Sequence, residues 1–133
     1  MSRLKQPFLD RVERFAQRVA DVAETLEKKK RSARVVDQLF GAGTSVGANT
    51  WEAAEALSDK DFAKTIGIAL KECNETRFWI RFVVNRGWIP AKRLESLETE
   101  ALELKRILGA MVHKVHSKIR SPTSVRKSTG RPV

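Results

Sequence analysis

The sequence predicts an all-α protein, an up-down-up-down antiparallel four-helix bundle, and three observations carry that reading. Apolar residues recur at threes and fours through four successive segments, no window alternates with period two over a convincing length, and the connections are only a few residues long. A chain of 133 residues fits one domain around a single modest core. The bundle is expected over residues 1–120, with helices near 8–28, 33–57, 59–86 and 90–119.

Phe8, Val12, Phe15, Val19, Val22 and Leu26 mark the first apolar stripe, with Asp10, Glu13, Arg14, Asp21 and Glu24 between them. This helix should stop near "EKKKRSA". The second stripe reads Val36, Leu39, Gly43, Val46, Thr50, Ala53 and Leu57. Its glycines, Gly41, Gly43 and Gly47, need a reason, because glycine inside a helix costs about 1 kcal/mol relative to alanine. Either the chain breaks at Gly41 to Gly43 and restarts with Thr44 or Ser45 as N-cap, or the glycines let a neighbouring helix approach closely; spacing alone does not choose.

Ser58 with Asp61 three residues on resembles a capping box with Asp in the place of Glu. Phe62, Ile66, Ala69, Cys73, Ile80 and Val84 then mark the third stripe, Gly87 ends it and Pro90 opens the next. Leu94, Leu97, Ala101, Leu104, Leu108, Met111 and Val115 keep a heptad through the fourth helix. Residues 121–133, "SPTSVRKSTGRPV", hold two prolines, no acid and almost nothing apolar, and are expected to be a disordered basic tail.

Enzyme chemistry finds little support. Gly43-Thr44-Ser45-Val46-Gly47 matches the G-x-S-x-G nucleophile elbow, but that device needs a strand, a following helix and an α/β sheet that this chain is too short and too helical to build. His113 and His116 have no third good metal ligand, and no glutamate is followed three residues later by histidine, so Glu72 and Glu75 do not make a di-iron motif. Asn49 and Glu52 lie beside the packing stripe as polar residues bonded within the bundle, and the lone Cys73 reads as a small buried hydrophobe. No catalytic residue, metal ligand or cofactor is therefore expected. No run approaches the roughly 18 apolar residues of a membrane span, and the start lacks an apolar signal core, so a cytoplasmic protein without a membrane partner is expected.

Two features point to partners. The net charge is +10, and its excess is concentrated: Lys28, Lys29, Lys30, Arg31 and Arg34 lie in an acid-free loop, and Lys118, Arg120, Arg126, Lys127 and Arg131 lie in the last 17 residues. The remaining 16 Lys and Arg are matched by 16 Asp and Glu. Phosphate-directed binding of RNA or DNA by these ten residues is the natural use of such segments, although an antiparallel bundle puts the two at opposite ends, about 35 Å apart. The second feature is "RFWIRFVV", where Phe78, Trp79 and Phe82 project away from the core stripe. Together with Trp51 and Trp88 they form a second apolar face, for which self-association is the economical cover.

The middle of the chain resembles a known family. Thr44 to Asn49, Glu52-Ala53, Ser58 with Asp61-Phe62, Ala69 to Glu72, and Glu75-Thr76 before Phe78-Trp79 look like the four-helix-bundle proteins encoded in 23S rRNA intervening sequences, and like the related accessory variability determinant of diversity-generating retroelements. The similarity covers about residues 8–116. It implies a homopentameric barrel of four-helix subunits, and it implies that the G-x-S-x-G match is an accident within a helix. The retroelement branch implies a basic accessory protein that binds nucleic acid and works with a reverse transcriptase. The intervening-sequence branch implies a protein-interaction scaffold.

Overall fold

The computed structural model describes residues 2–120, so the 121–133 tail, with Arg126, Lys127 and Arg131, lies outside the described residues. Four α-helices make up the fold: α1 (Gln6–Lys28), α2 (Ala33–Ala54), α3 (Asp59–Asn85) and α4 (Ala91–Ile119). Each packs on its neighbour in sequence, and α1 closes on α4 along the thinnest seam, with no diagonal pair in contact among the described residues. This is a four-helix bundle. Residue numbers rise along one helix as they fall along its neighbour: Leu9 meets Trp51 and Val19 meets Gly43, Asp59 meets Lys118 and Cys73 meets Ala101, Arg11 meets Glu100 and Arg18 meets Ser96.

The helix ends follow from local chemistry. Pro7 sits in the first turn of α1, where its missing N–H has no helical acceptor anyway, so the helix begins at Gln6 rather than at residue 8. Helix α2 stops at Ala54, short of residue 57. Its last carbonyl is taken by Arg3, whose backbone N–H donates to Ala54 O at 2.8 Å, and the Arg3 Nε donates to Ala56 O, just past the helix, at 2.8 Å. Leu57, placed on the core stripe by its spacing, is instead 96% exposed. Ser58 caps α3, its hydroxyl accepting from Asp61 N at 3.0 Å, with Asp59 and Asp61 in the first turn where the helix dipole favours acids.

The core is built from Val12, Phe15, Val19 and Leu26 of α1, Leu39, Val46 and Ala53 of α2, Ile66, Cys73 and Ile80 of α3, and Leu97, Leu104 and Leu108 of α4. Four expected core positions shift by one residue: Leu9, Ala23, Val35 and Val83 are buried, and Phe8, Val22, Val36 and Val84 are only partly so. The one-residue shifts are what a 3.6-residue turn does to a stripe drawn at threes and fours. Buried Thr50 and Thr76 satisfy their hydroxyls on the carbonyls one turn back, Val46 O at 2.7 Å and Glu72 O at 2.8 Å. Cys73 is fully buried, and burial pushes its thiol up to about 11 while its Sγ donates to Ala101 O at 3.3 Å.

Of the three glycines of α2, Gly43 is explained by close approach of a neighbouring helix, Gly47 makes only ordinary contacts with α1, and nothing lies near Gly41. Helix α2 runs unbroken through Gly41, Gly43 and Gly47, so neither Thr44 nor Ser45 is an N-cap. A Cβ at Gly43 would stand 2.6 Å from Val19 Cβ, and one at Gly47 would stand 3.5 Å from the Val12 carbonyl oxygen. Val19 therefore occupies the space a side chain at position 43 would need.

Candidate nucleic-acid interface

The basic loop is shaped by how α1 ends. Lys30 adopts φ 56°, the left-handed region, and two bonds close the helix behind it: Lys30 N to Glu27 O at 2.9 Å and Arg31 N to Leu26 O at 3.0 Å. This is a Schellman motif whose left-handed position is usually glycine. Helix α3 ends the same way with a glycine, as Gly87 (φ 74°) bonds Val84 O at 2.9 Å and Trp88 N bonds Val83 O at 3.1 Å. The residue after each left-handed turn, Arg31 in one loop and Trp88 in the other, is thereby aimed across the end of the bundle. They meet there: the Arg31 guanidinium lies 5.7 Å from the centre of the Trp88 ring, and Lys29 Nζ donates to Trp88 O at 3.4 Å.

Lysine in a left-handed conformation costs about 1 kcal/mol against glycine. We expect Lys30→Gly to stabilise the fold by about that amount, measured as a rise of a few degrees in the thermal midpoint; an unchanged or lowered midpoint would contradict it.

Arg86 joins this end of the molecule, its guanidinium 5.8 Å from the centre of the same Trp88 ring. Sequence reasoning missed it, because Arg86 lies outside the charge run; the signal was its place immediately before Gly87. The first turns of α2 and α4, which begin here, contain no acid and instead carry Arg34, Lys92 and Arg93. Among the described residues Lys28, Lys30, Arg31, Arg34 and Arg86 form no salt bridge, and all are exposed. The ion pairs lie elsewhere, on Arg3, Arg11 and Lys118. The cations at this end therefore have no ion-pair partner among the described residues, the condition under which a phosphate backbone gains most.

Of the other predicted cations, the two among the described residues, Lys118 and Arg120, are at the opposite end. Lys118 is exposed and pairs with Asp59 at 3.3 Å, beside Arg3, which holds the same carboxylate at 2.8 Å. Arg3 first and Lys118 second keep the Asp59 carboxyl below its usual range. Arg120 is the exposed residue that caps α4. The structure thus does not bring the loop cluster and Lys118 together.

The aromatic residues divide into two sets. Phe78, Trp79, Phe82 and Trp88 touch in sequence, with ring centres 4.9 Å apart for Phe78–Trp79, 5.5 Å for Trp79–Phe82 and 5.9 Å for Phe82–Trp88. Phe78 is 57% exposed. Trp51 stands apart, on the seam of α1 and α2 beside Glu13 and Ala16, where its Nε1 donates to Leu9 O at 3.1 Å and its ring is 42% exposed. The spacing put it with the other aromatics, but the turn of α2 faces it toward α1.

The side chains weighed for chemistry sit in ordinary surroundings. Ser45 is half-buried within α2, Asn49 Nδ2 donates to Ser45 O at 2.9 Å, and Glu52, His113 and His116 are exposed. Glu75 accepts from Trp79 Nε1 at 3.0 Å, and burial followed by the charge of Glu75 raises the Glu72 carboxyl above its usual range. Among the described residues no three His, Cys, Asp or Glu side chains stand close enough together to hold a metal ion, and no helix is long and apolar enough to cross a membrane.

No curated protein matches the chain. It is similar to a protein of unknown function from the S23 ribosomal protein family of Bacteroides thetaiotaomicron VPI-5482, whose crystal structure superposes with a TM-score of 0.75 at 31% identity over 78% of this chain and 96% of that one. The description 23S rRNA-intervening sequence protein belongs to the family model that matches residues 7–110. With the match spanning all of α2 and α3 and most of α1 and α4, this chain belongs to the 23S rRNA-intervening sequence protein family.

Proposed function

We propose that this protein is a non-enzymatic, basic accessory factor that binds RNA or DNA through phosphates. The observation that carries the reading is the cluster of exposed cations at the α1–α2 and α3–α4 turns with no carboxylate partner. Binding of this kind positions a nucleic acid without reading its sequence. It also gives Lys30 a use in a conformation that favours glycine: the loop carries a charge there at a cost of about 1 kcal/mol.

The subunit is an up-down-up-down bundle, and five of them form a ring. Two apolar surfaces support this assembly: Trp51 with Phe40, 42% and 43% exposed on α2, and Phe78, 57% exposed on α3, whose neighbours Trp79 and Phe82 are half-buried against the subunit's own core. They are different patches, and a head-to-tail contact that pairs one with the other closes a ring. A ring repeats the basic turns around one rim, so weak phosphate contacts act together. Likeness to the retroelement accessory protein adds a reverse transcriptase as the protein partner and the cytoplasm as the place of action.

Binding to a single-stranded RNA and to a DNA duplex, followed from about 50 mM to about 200 mM salt, tests the reading. Affinity should fall steeply and linearly on a log-log plot, and reversing Lys28, Lys29, Lys30 and Arg31 to Glu should abolish it. Sedimentation should give five times the 15.0 kDa chain mass. A flat salt plot overturns nucleic-acid binding, and a stable monomer overturns the ring. The same charge-reversed protein losing a reverse transcriptase in a pull-down while keeping its RNA affinity favours the scaffold reading instead.

A further inference from the structure

Resting on the proposed nucleic-acid function, we propose that Trp88, flanked by Arg31 and Arg86, is a stacking site for an unpaired base, so that the basic end takes single-stranded RNA or DNA in preference to duplex.

Three properties of Trp88 separate it from the other tryptophans. First, its ring is held in place before any ligand arrives. The Trp88 N–H is bonded to Val83 O at 3.1 Å, its carbonyl accepts from Lys29, the ring of Phe82 meets it edge-to-face at 5.9 Å, and Ile89 next to it is buried. A fixed ring loses little freedom on binding.

Second, the indole N–H is unused. Trp51 Nε1 donates to Leu9 O and Trp79 Nε1 to Glu75, whereas Trp88 Nε1 has no hydrogen-bond partner among the described residues and the residue is only half-buried. A donor beside a partly open ring suits a base carbonyl or a phosphate oxygen.

Third, the two cations over the ring are guanidiniums without a carboxylate, unlike Arg3 and Arg11, which are engaged by Asp59 and Glu100. A base replaces one guanidinium against the ring, and the released guanidinium takes the neighbouring phosphate. The exchange favours the base, since every base presents a π-face while an exposed cation over a ring is a weak contact. Lys28, Lys30 and Arg34 flank the site and track the backbone on either side. A duplex satisfies these lysines but not the ring, because its bases are stacked and paired inside the helix.

The experiment measures binding of oligo(U), oligo(dT) and a blunt DNA duplex, each about 12 nucleotides long, to the full chain at matched salt. Trp88→Leu keeps an apolar side chain against Phe82 and removes the π-face; it should weaken both single strands by about tenfold or more, leave the duplex within about twofold, and leave the salt slope unchanged. Replacing Arg31 and Arg86 with Gln should instead flatten the slope for all three. In the unmodified protein, ultraviolet crosslinking to a thiouridine-containing oligo(U) should label the tryptic peptide Gly87–Lys92, which decides the matter even if Trp88→Leu does not fold. Equal losses for single strands and duplex, no loss for either, or crosslinks confined to other peptides would overturn the stacking site while leaving phosphate binding intact. Failure of all three nucleic acids to bind at low salt would overturn both.

Discussion

Gly43→Val is expected to destabilise the protein by about 3 kcal/mol or more, a large part of the stability of a small domain. The Cβ of any residue at 43 would stand 2.6 Å from Val19 Cβ, 3.0 Å from Val19 Cγ2 and closer still to Val19 Cγ1. Rotating Val19 about χ1 moves its methyls but not its Cβ, so relief has to come from separating α1 and α2. Separation loosens the packing of Phe15, Val19 and Leu39 together, which is why the effect exceeds that of one misplaced methyl. Even Gly43→Ala, which gains about 1 kcal/mol of helix propensity, should lose on balance. Gly41→Ala is the internal comparison: nothing lies within 4 Å of its Cβ, and it should stabilise by up to about 1 kcal/mol. Denaturant midpoints for the three variants check the argument, and a Gly43→Ala protein as stable as Gly41→Ala would refute it.

Arg11→Met should cost about 2 kcal/mol at neutral pH, and the loss should shrink in acid. Arg11 Nε and Nη2 each reach the Glu100 carboxylate at 2.8 Å, and Nη2 also reaches Glu103 at 2.5 Å. This fork fastens α1 to α4, the seam with the fewest packed residues, with Arg18 to Ser96 at 3.0 Å as its neighbour. The Arg11 hydrogen bonds hold the Glu100 carboxyl below its usual range against the opposing effect of burial. A depressed carboxyl contributes stability that is fully present above the unfolded value, about 4.3, and is lost as pH falls through the folded value. Asp59, held down by Arg3 and Lys118, acts in the same direction, and Glu72, pushed up by burial, acts in the opposite one. Melting the unmodified protein and Arg11→Met at pH 7 and at about pH 3 should therefore show the gap between them narrowing. An equal gap at both would mean that Arg11 contributes by packing alone.

The helices were legible because each buries one stripe, and a stripe is written in every third or fourth residue. Four helices, the Ser58 cap, the stop at Gly87 and the buried Cys73 all follow from local pattern. What was illegible needs two segments at once. Gly43 of α2 is readable only against Val19, a residue 24 positions away in the chain. Leu57 continues the spacing past the point where Arg3 takes the last carbonyl of the helix, Ala54 O. In the candidate interface the charge run announced the loop, but Arg86 belonged to it only through Trp88, and Lys118 left it through Asp59. Trp51 was grouped with the α3 aromatics because composition carries no direction, and direction is set by which way α2 turns toward α1.

The thin α1–α4 seam has a kinetic meaning as well. Three of the four interfaces join helices that are consecutive in the chain, so each forms as a hairpin with a short loop to close. The fourth brings together residues some 89 positions apart, Arg11 and Glu100, and its entropy of closure is met only after the hairpins exist. Closure along α1 and α4 is therefore expected last, and amide protons facing that edge are expected to be the first to exchange when the native state breathes.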